Sequence, residues 1–443
     1  MPRRFLIRTF GCQMNRHDAE ALAGLLERAG LVPTESESEA DVILFETCSV
    51  RTHAEERVYS LLGRLKPVKR RRPSLLIGVI GCMAEKDREE IFRRAPHVDF
   101  AVGPGRLDEV PALIAGLAPG ACSVLSGQKP SLELPSALAD RREHPWSAYI
   151  AISRGCSNRC AYCVVPAVRG ELVSRAPGEI LAEARELVAA GAAELTLLGQ
   201  DADAYGRDFC GGTGPHLADL VRSMGRLEAE GLRRLVFVTS HPRDISEDLL
   251  RAMAETPVAC PYLHMPAQSG SDRILAAMRR GYTAERYRQI VAAARRIIPG
   301  AEIASDFIVG FPGETEEDFA ATETLVRDME FQQIYVFKYS PRPGTFAADQ
   351  LADDVPTEVK KARNNRLLAV QRTISLRLNR AMVGKTVAVL VEGASQRDDR
   401  RLTGRTRTGR IVVFARDART RSGQLVNVRV DSATALTLAG ERA

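Results

Sequence analysis

The chain has 443 residues, 45% of them apolar and 27% charged, the balance of a folded globular protein with length for about three domains. This excludes a disordered chain and a small disulfide scaffold, and no apolar run approaches the ~18 residues a membrane span needs. The net charge of +6 is localised: residues 384–443 hold twelve Lys/Arg against six Asp/Glu, so the preceding residues balance.

Residues 1–8 contain an apolar run of only three, too short for a secretory leader, so the expectation is a cytoplasmic protein whose nine cysteines are reduced thiols. Three β-rich runs follow, 5–12, 42–48 and 75–82, each ending at a cysteine: Cys12, Cys48 and Cys82. The cysteines are 36 and 34 residues apart, about one strand-plus-helix unit. Parallel strands joined by right-handed crossovers share one carboxyl edge, so the three thiols should converge.

A Pro-, Arg- and Glu-rich link at 126–145 marks a boundary. Beyond it, strands expected at 149–153, 194–198, 235–239, 262–265, 303–309 and 334–339 alternate with helices. The helices are expected at 178–190, 217–230, 245–255, 271–298 (broken at Gly281) and 315–329. Six such repeats in about 200 residues fit a partial (β/α)6 barrel better than a closed eight-unit one. Residues 356–383 read as a helix with a basic exposed face that includes Lys360 and Arg363. Strands at 386–391, 410–414 and 425–430, with weaker ones near Leu402 and Leu436, suggest a small barrel of the oligonucleotide-binding sort. Its charge points to a polyanion, most simply nucleic acid. The fold class is α/β: an open parallel N-terminal domain, a central partial barrel and a C-terminal β-barrel.

Cys156, Cys160 and Cys163 stand in C-x3-C-x2-C spacing just after the first barrel strand. A closed structural zinc site wants four ligands, and a ferredoxin run supplies four cysteines. Three thiolates instead leave one iron of a [4Fe–4S] cluster open to a cofactor or substrate. The turns after later strands carry Gln200 and Asp201, Ser240 and His241, Gln268 and Ser269, and Asp306. Gln200, Ser269 and Asp306 could hold the amino, carboxylate and ribose groups of a nucleoside-bearing cofactor, which nearby glycines let the backbone approach. His241 and His264 read singly as structural histidines, and Cys122, Cys210 and Cys260 have no partner at a ligand spacing.

On segments 9–15, 46–51, 81–82, 156–165, 169–175, 239–242 and 305–315, the sequence resembles the methylthiotransferase family of the radical S-adenosylmethionine superfamily, in its tRNA-modifying, MiaB-type branch. The resemblance implies two [4Fe–4S] clusters, an auxiliary one on Cys12, Cys48 and Cys82 and a radical-generating one on Cys156, Cys160 and Cys163. It implies S-adenosyl-L-methionine as both methyl donor and source of a 5′-deoxyadenosyl radical, contacted by Tyr162, Gln200, Ser240, Gln268, Ser269 and Asp306. Domains are expected at 3–118, 142–372 and 375–440, the last a TRAM barrel meeting RNA through Lys385, Arg401, Arg405, Arg407 and Arg410.

Gln13-Met14-Asn15 resembles the members that act on N6-(dimethylallyl)adenosine at position 37 of tRNA. Members acting on threonylcarbamoyladenosine or on a ribosomal-protein aspartate differ there. The expected reaction is methylthiolation at carbon 2, with Gln13, Met14, Asn15 and Arg175 meeting the substrate. That carbon bears an aromatic C–H beyond side-chain acid–base catalysis, so the cofactor carries the hard step. Expected partners of a monomer away from membranes are a tRNA anticodon stem-loop, a flavodoxin- or ferredoxin-type electron donor and a sulfur or cluster donor. A non-catalytic iron–sulfur RNA-binding protein would not need cofactor-shaped turns after four successive strands. Two departures stand out: Asp201 and Asp203 replace the family's usual amide after the second barrel strand, and the Gly-rich insertion 206–214 carries Cys210. An ionised acid cannot donate an amide's hydrogen bonds, which leaves the roles of Asp201 and Asp203 open.

Overall fold

A computed structural model of the chain describes residues 3–49, 52–118, 121–129, 142, 144–209 and 212–443. Cys210, Val50, Arg51 and most of the expected link lie outside the described residues.

The first unit runs β1 (Arg4–Thr9), α1 (Gln13–Arg28), β2 (Val32–Pro33), β3 (Val42–Thr47), α2 (Thr52–Arg71) and β4 (Leu76–Gly81). It continues with α3 (Cys82–Asp87), α4 (Glu90–Arg94), β5 (Phe100–Val102), α5 (Val110–Gly116) and β6 (Ser123–Leu125). The strands form one parallel sheet in the order β2-β1-β3-β4-β5-β6. Every residue of β3 and β4 is buried, which is why both read as continuous rather than alternating apolar runs. Ile43, Phe45, Ile77 and Val79 pack on Val58, Leu62 and Leu65 of α2; Val42, Leu44, Leu76 and Ile80 pack with Leu22 and Leu26 of α1. The short β2, β5 and β6 carry too few residues for a sequence period and were not anticipated.

The central unit opens with β7 (Ser147–Ala151), β8 (Ser153–Arg154), α6 (Val165–Arg169), β9 (Val173–Ser174), α7 (Pro177–Ala189), β10 (Glu194–Leu198) and α8 (Leu217–Gly225). It proceeds through β11 (Arg234–Val238), α9 (Glu247–Glu255), β12 (Tyr262–His264), α10 (Asp272–Ala277) and α11 (Ala284–Ile297). It ends with β13 (Glu302–Val309), α12 (Glu316–Met329), β14 (Gln333–Lys338), α13 (Phe346–Gln350) and α14 (Thr357–Arg380). β7, β10 and β11 form one parallel set and β12, β13 and β14 another, joined by the bridge between Leu235 and Ala259. This is the expected six-strand partial barrel, wrapped outside by its helices. The expected break at Gly281 separates α10 from α11, and that glycine holds φ +70°. On α14, Lys360 and Arg363 turn inward rather than out: Lys360 pairs with Asp353, and Arg363 with Glu314 at 2.8 Å.

The strands β15 (Thr386–Ser395), β16 (Asp398–Arg405), β17 (Ile411–Ala415), β18 (Leu425–Ala433) and β19 (Thr437–Arg442) close a small barrel in the order β15-β16-β17-β19-β18. It docks on the amino ends of the central strands. Arg234, the first residue of β11, donates to the Thr406 carbonyl at 3.3 Å. Arg407 donates to the Ala259 carbonyl at 2.6 Å, just ahead of β12. Arg410 meets Glu302, the first residue of β13, at 2.7 Å, and Asn379 Oδ1 at 3.0 Å. Two of the five residues expected to meet RNA, Arg407 and Arg410, are thus engaged with the chain's own barrel. Among the described residues, no helix is long and apolar enough to cross a membrane.

Candidate functional site

Cys12, Cys48 and Cys82 follow β1, β3 and β4, three adjacent parallel strands in register at Thr9 with Glu46 and Thr47 with Gly81. Asn15, fully buried, ties their loops together. Its Nδ2 donates to Glu46 Oε1 at 2.7 Å and to the Thr47 carbonyl at 3.1 Å, while its Oδ1 accepts from the Cys12 backbone at 3.2 Å. Gly81 holds φ +89°, and a Cβ there would collide with the Glu46 carboxyl, so only glycine lets the third strand turn this close. A hydrogen bond with Cys48 pulls the Cys12 thiol down to about 6, whereas burial pushes Cys82 up to about 11. Burial, then the Asp18 charge, also raises Glu46 well above its ordinary value.

The second thiol set lies between β8 and β9, which pair antiparallel and pinch off the loop that holds it. Gly155, at φ +76°, donates its backbone N–H to Gln200 Oε1 at 2.5 Å, and a Cβ there would strike the Glu171 carbonyl. Gln200 therefore fixes the start of the thiol loop from the end of β10. Burial raises Cys156, and raises Cys163 to about 12.

The two sets meet. Cys82 packs on Val164 and Val168, immediately beyond Cys163, and Arg169 of the same α6 donates Nε to Cys82 Sγ at 3.2 Å. Met14 packs on Ala151 and Leu198, with Val238 beside them; these are the last residues of β7, β10 and β11, so the first unit covers the barrel mouth. Gln13 is exposed at the start of α1. Arg175, by contrast, is buried, its Nη1 donating to the Ala151 carbonyl at 2.9 Å and to Glu183 at 2.6 Å.

Around the mouth, Tyr162 is half-buried beside Phe311 and Tyr339. Ser240 is buried, its hydroxyl facing the Asp203 carboxyl. Gln268, at φ +70°, bridges its backbone to Asp306, and Ser269 Oγ meets Thr322 Oγ1 at 3.2 Å. Asp306 accepts from His264 Nε2 at 3.1 Å. Burial drives His241 down to about 3, which leaves it neutral.

Asp201 is held by burial, then by Asp244, at a pKa raised to about 7. Asn158 Nδ2 donates to its Oδ2 at 2.7 Å, and Asp201 Oδ1 and Asp244 Oδ2 are otherwise unpartnered. One proton shared between the two carboxyls satisfies both. A protonated acid donates as an amide would, and this accounts for an acid at that position. Buried Asp203 faces the Ser240 hydroxyl, and burial, then Asp201, raises its pKa well above the usual carboxylate value.

Sequence reasoning missed Asn158, inside the second thiol loop, and Arg169, Asp18, Asp244 and Arg280, whose partners across the fold lie far along the chain. Arg169 opens the segment 169–175 that carries the family resemblance, but no spacing rule ties it to Cys82.

Among the described residues, no three His, Cys, Asp or Glu side chains converge as they would on a single metal ion. A [4Fe–4S] cluster spreads its thiolates over separate irons and does not ask them to meet at one point. Cys12, Cys48, Cys82, Cys156, Cys160 and Cys163 are all free thiols, three at each site, a donor set that fits such a cluster with one iron left open.

A six-strand parallel barrel with a C-x3-C-x2-C loop at its mouth defines a radical S-adenosylmethionine enzyme. The sequence matches the family models described as Uncharacterized protein family UPF0004 over residues 4–103, Radical SAM superfamily over 150–326, and TRAM domain over 380–442. The tRNA-2-methylthio-N(6)-dimethylallyladenosine synthase of Thermobifida fusca (strain YX) is 48% identical over 97% of this chain and 87% of its own length. A protein of the same name from Mycobacterium bovis (strain ATCC BAA-935 / AF2122/97) is 46% identical over 97% of this chain and 85% of its own. The radical S-adenosylmethionine methyltransferase TsrM from Kitasatospora setae shares the fold alone, at TM-score 0.57 and 16% identity over 79% of this chain and 77% of its own. The chain belongs to the radical S-adenosylmethionine methylthiotransferase family that contains these synthases.

Proposed function

We propose that the chain installs a methylthio group on carbon 2 of N6-(dimethylallyl)adenosine-37 in tRNA, with S-adenosyl-L-methionine serving as methyl donor and radical source. The packing of Cys82 on Val164 and Val168 carries the proposal, because it sets one three-thiol site against the loop of the other. Residues 3–118 hold an auxiliary cluster on Cys12, Cys48 and Cys82, residues 142–372 a second cluster on Cys156, Cys160 and Cys163, and residues 375–440 hold RNA. When bound, the clusters and S-adenosylmethionine supply the one-electron chemistry and hydrogen abstraction that no side chain offers an aromatic C–H.

The chain's own residues position and enclose. Gln200 sets the thiol loop, and the buried Ser240 hydroxyl and Asp203 carboxyl, which face each other, offer polar groups to a bound cofactor. Tyr162, Gln268, Ser269 and Asp306 complete the wall of that pocket. Gln13 and Met14 face the substrate, whereas Asn15 and Arg175 shape the site from behind. The reaction consumes electrons and sulfur, so a flavodoxin- or ferredoxin-type donor and a sulfur donor serve it, on a monomer in the cytoplasm.

A competition between anticodon stem-loops carrying unmodified, dimethylallyl- and threonylcarbamoyl-adenosine, scored by mass gain at the nucleoside, tests the substrate. Preference for the dimethylallyl form over bare adenosine by tenfold to a few hundredfold, about 1.4–3.5 kcal/mol, is expected. Equal turnover of all three, or gain only on the threonylcarbamoyl form, rejects it.

A further inference from the structure

Each three-thiol site holds one buried guanidinium against one sulfur. Arg169 donates Nε to Cys82 Sγ at 3.2 Å, and Arg280 donates Nη1 to Cys160 Sγ at 3.2 Å; both side chains are buried. Their other bonds differ. Arg280 turns to neutral oxygens, the Pro266 carbonyl at 3.1 Å and the Tyr282 hydroxyl at 3.1 Å. Arg169 donates Nη2 to Asp18 Oδ2 at 2.7 Å, and both members of that pair are 6% exposed. Asp18 lies on α1, six residues beyond Cys12, and Arg169 lies on α6, six residues beyond Cys163. The ion pair therefore joins the first helix behind one thiol site to the helix that closes the other.

A buried ion pair is a costly way to hold two elements together, and apolar packing of equal volume commonly does as well. Val164 and Val168 already supply apolar contact at this junction, so packing alone does not account for the pair. What the pair adds is a charge of fixed sign and position. Its positive end lies on the sulfur of Cys82 and its negative end one hydrogen bond farther out. Hydrogen bonds to cluster sulfurs and local net charge are levers on the reduction potential of an iron–sulfur centre.

We propose that Arg169 is a positioning residue for the auxiliary site: it orients the Cys82 sulfur, ties that site to the radical-site loop and, with Asp18, sets the reduction potential of the auxiliary cluster. This rests on the assignment of that cluster to Cys12, Cys48 and Cys82. Arg280 gives the radical site the same contact without a compensating carboxylate.

The test uses the full chain with Cys156, Cys160 and Cys163 replaced by Ala, reconstituted anaerobically, so that the auxiliary cluster alone is read. Its midpoint potential is measured by mediated titration followed by electron paramagnetic resonance, beside iron content. Asp18→Asn, which removes the negative partner, shifts the midpoint upward. Arg169→Lys keeps the charge and stays near the parent. Arg169→Met combined with Asp18→Asn, which strands no buried carboxylate, falls below the Asp18→Asn value and loses iron to a chelator faster than the parent. If the double variant does not fold, the sign of the Asp18→Asn shift decides. Full iron with a midpoint indifferent to charge across the series overturns the proposal and leaves the cluster assignment standing. Absence of iron from the parent protein overturns the assignment and the proposal with it.

Discussion

Arg410 Nη1 lies 2.7 Å from Glu302 Oε1, and this pair fixes which face of the basic barrel is left for RNA. Glu302 begins β13, so the C-terminal barrel sits at the amino ends of the central strands, opposite the thiol loops. The five residues of β11 and the eight of β13 separate the two ends by roughly 17–26 Å. RNA held by the basic barrel must run along the side of the central one to bring a nucleoside to its mouth.

The basic residues of the tail therefore divide by direction. Arg410 is 5% exposed, and Arg410→Ala leaves Glu302 short of a partner; a loss of about 3 kcal/mol of unfolding free energy is expected, with the salt dependence of tRNA binding intact. Lys385→Ala and Arg401→Ala, on more open positions, should each change stability by less than about 0.5 kcal/mol. Each should reduce the slope of log affinity against log salt by about 1, because fewer counterions leave the phosphates. Binding isotherms across a salt series, beside thermal melts, separate the two classes; equal slopes for all three variants would move the RNA elsewhere.

The two thiol sites are separable. Each triple Cys→Ala variant, one at Cys12, Cys48 and Cys82 and the other at Cys156, Cys160 and Cys163, should hold about four irons per chain against about eight for the parent. The second should form no 5′-deoxyadenosine from S-adenosylmethionine. The first should keep some radical generation and lose methylthiolation. Unchanged iron in either variant contradicts the ligand sets.

Asp201 makes stability depend on pH with a definite sign. Its folded pKa is pushed up to about 7, first by burial and then by Asp244, while the unfolded chain ionises near about 4. Between those values the unfolded state gives up a proton that the folded state keeps, so stability falls as pH rises through the window and stays lowered above it. Asp201→Asn removes the penalty, since the amide can donate toward Asp244 and accept from Asn158 Nδ2. An expected gain of about 2–4 kcal/mol at pH 8 should vanish toward pH 4. Melts over that range check it, and a gain that ignores pH would assign the titration to another group.

Where the sequence is legible, a rigid rule connects residue to place. Parallel strands share a carboxyl edge, so Cys12, Cys48 and Cys82 could be brought to one edge from spacing alone, and strand–helix alternation gave the six central strands within a residue or two. Direction of charge has no such rule. Arg410, Lys360 and Arg363 look in sequence like any solvated basic residue, and only the partner they meet across the fold turns them inward, while Arg407 stays exposed and docks its guanidinium on the Ala259 carbonyl. Asn15 was legible as important but not for its task, because its bonds to Glu46 and Thr47 span more than thirty residues. Asp201 looked unsuited to its position because the sequence does not disclose the second carboxyl that shares its proton.

Met14 is the proposed wall for the dimethylallyl group. It is 7% exposed and seals the carboxyl ends of β7, β10 and β11 through Ala151, Leu198 and Val238. Burying a five-carbon group against such a wall at about 0.8 kcal/mol per methylene-sized unit offers up to about 4 kcal/mol over bare adenosine. Met14→Ala opens part of that wall and costs about 2–3 kcal/mol of stability through the cavity it leaves. The preference for dimethylallyl over unmodified stem-loops should fall by about fivefold, roughly 1 kcal/mol. Met14→Leu, of similar volume, should keep both stability and preference nearly intact. The ratio of kcat/KM values for the two stem-loops at a temperature where all variants are folded separates recognition from packing. A destabilised Met14→Ala protein with an undiminished ratio would make Met14 a packing residue alone and send the search for the dimethylallyl wall to the strand residues beneath it.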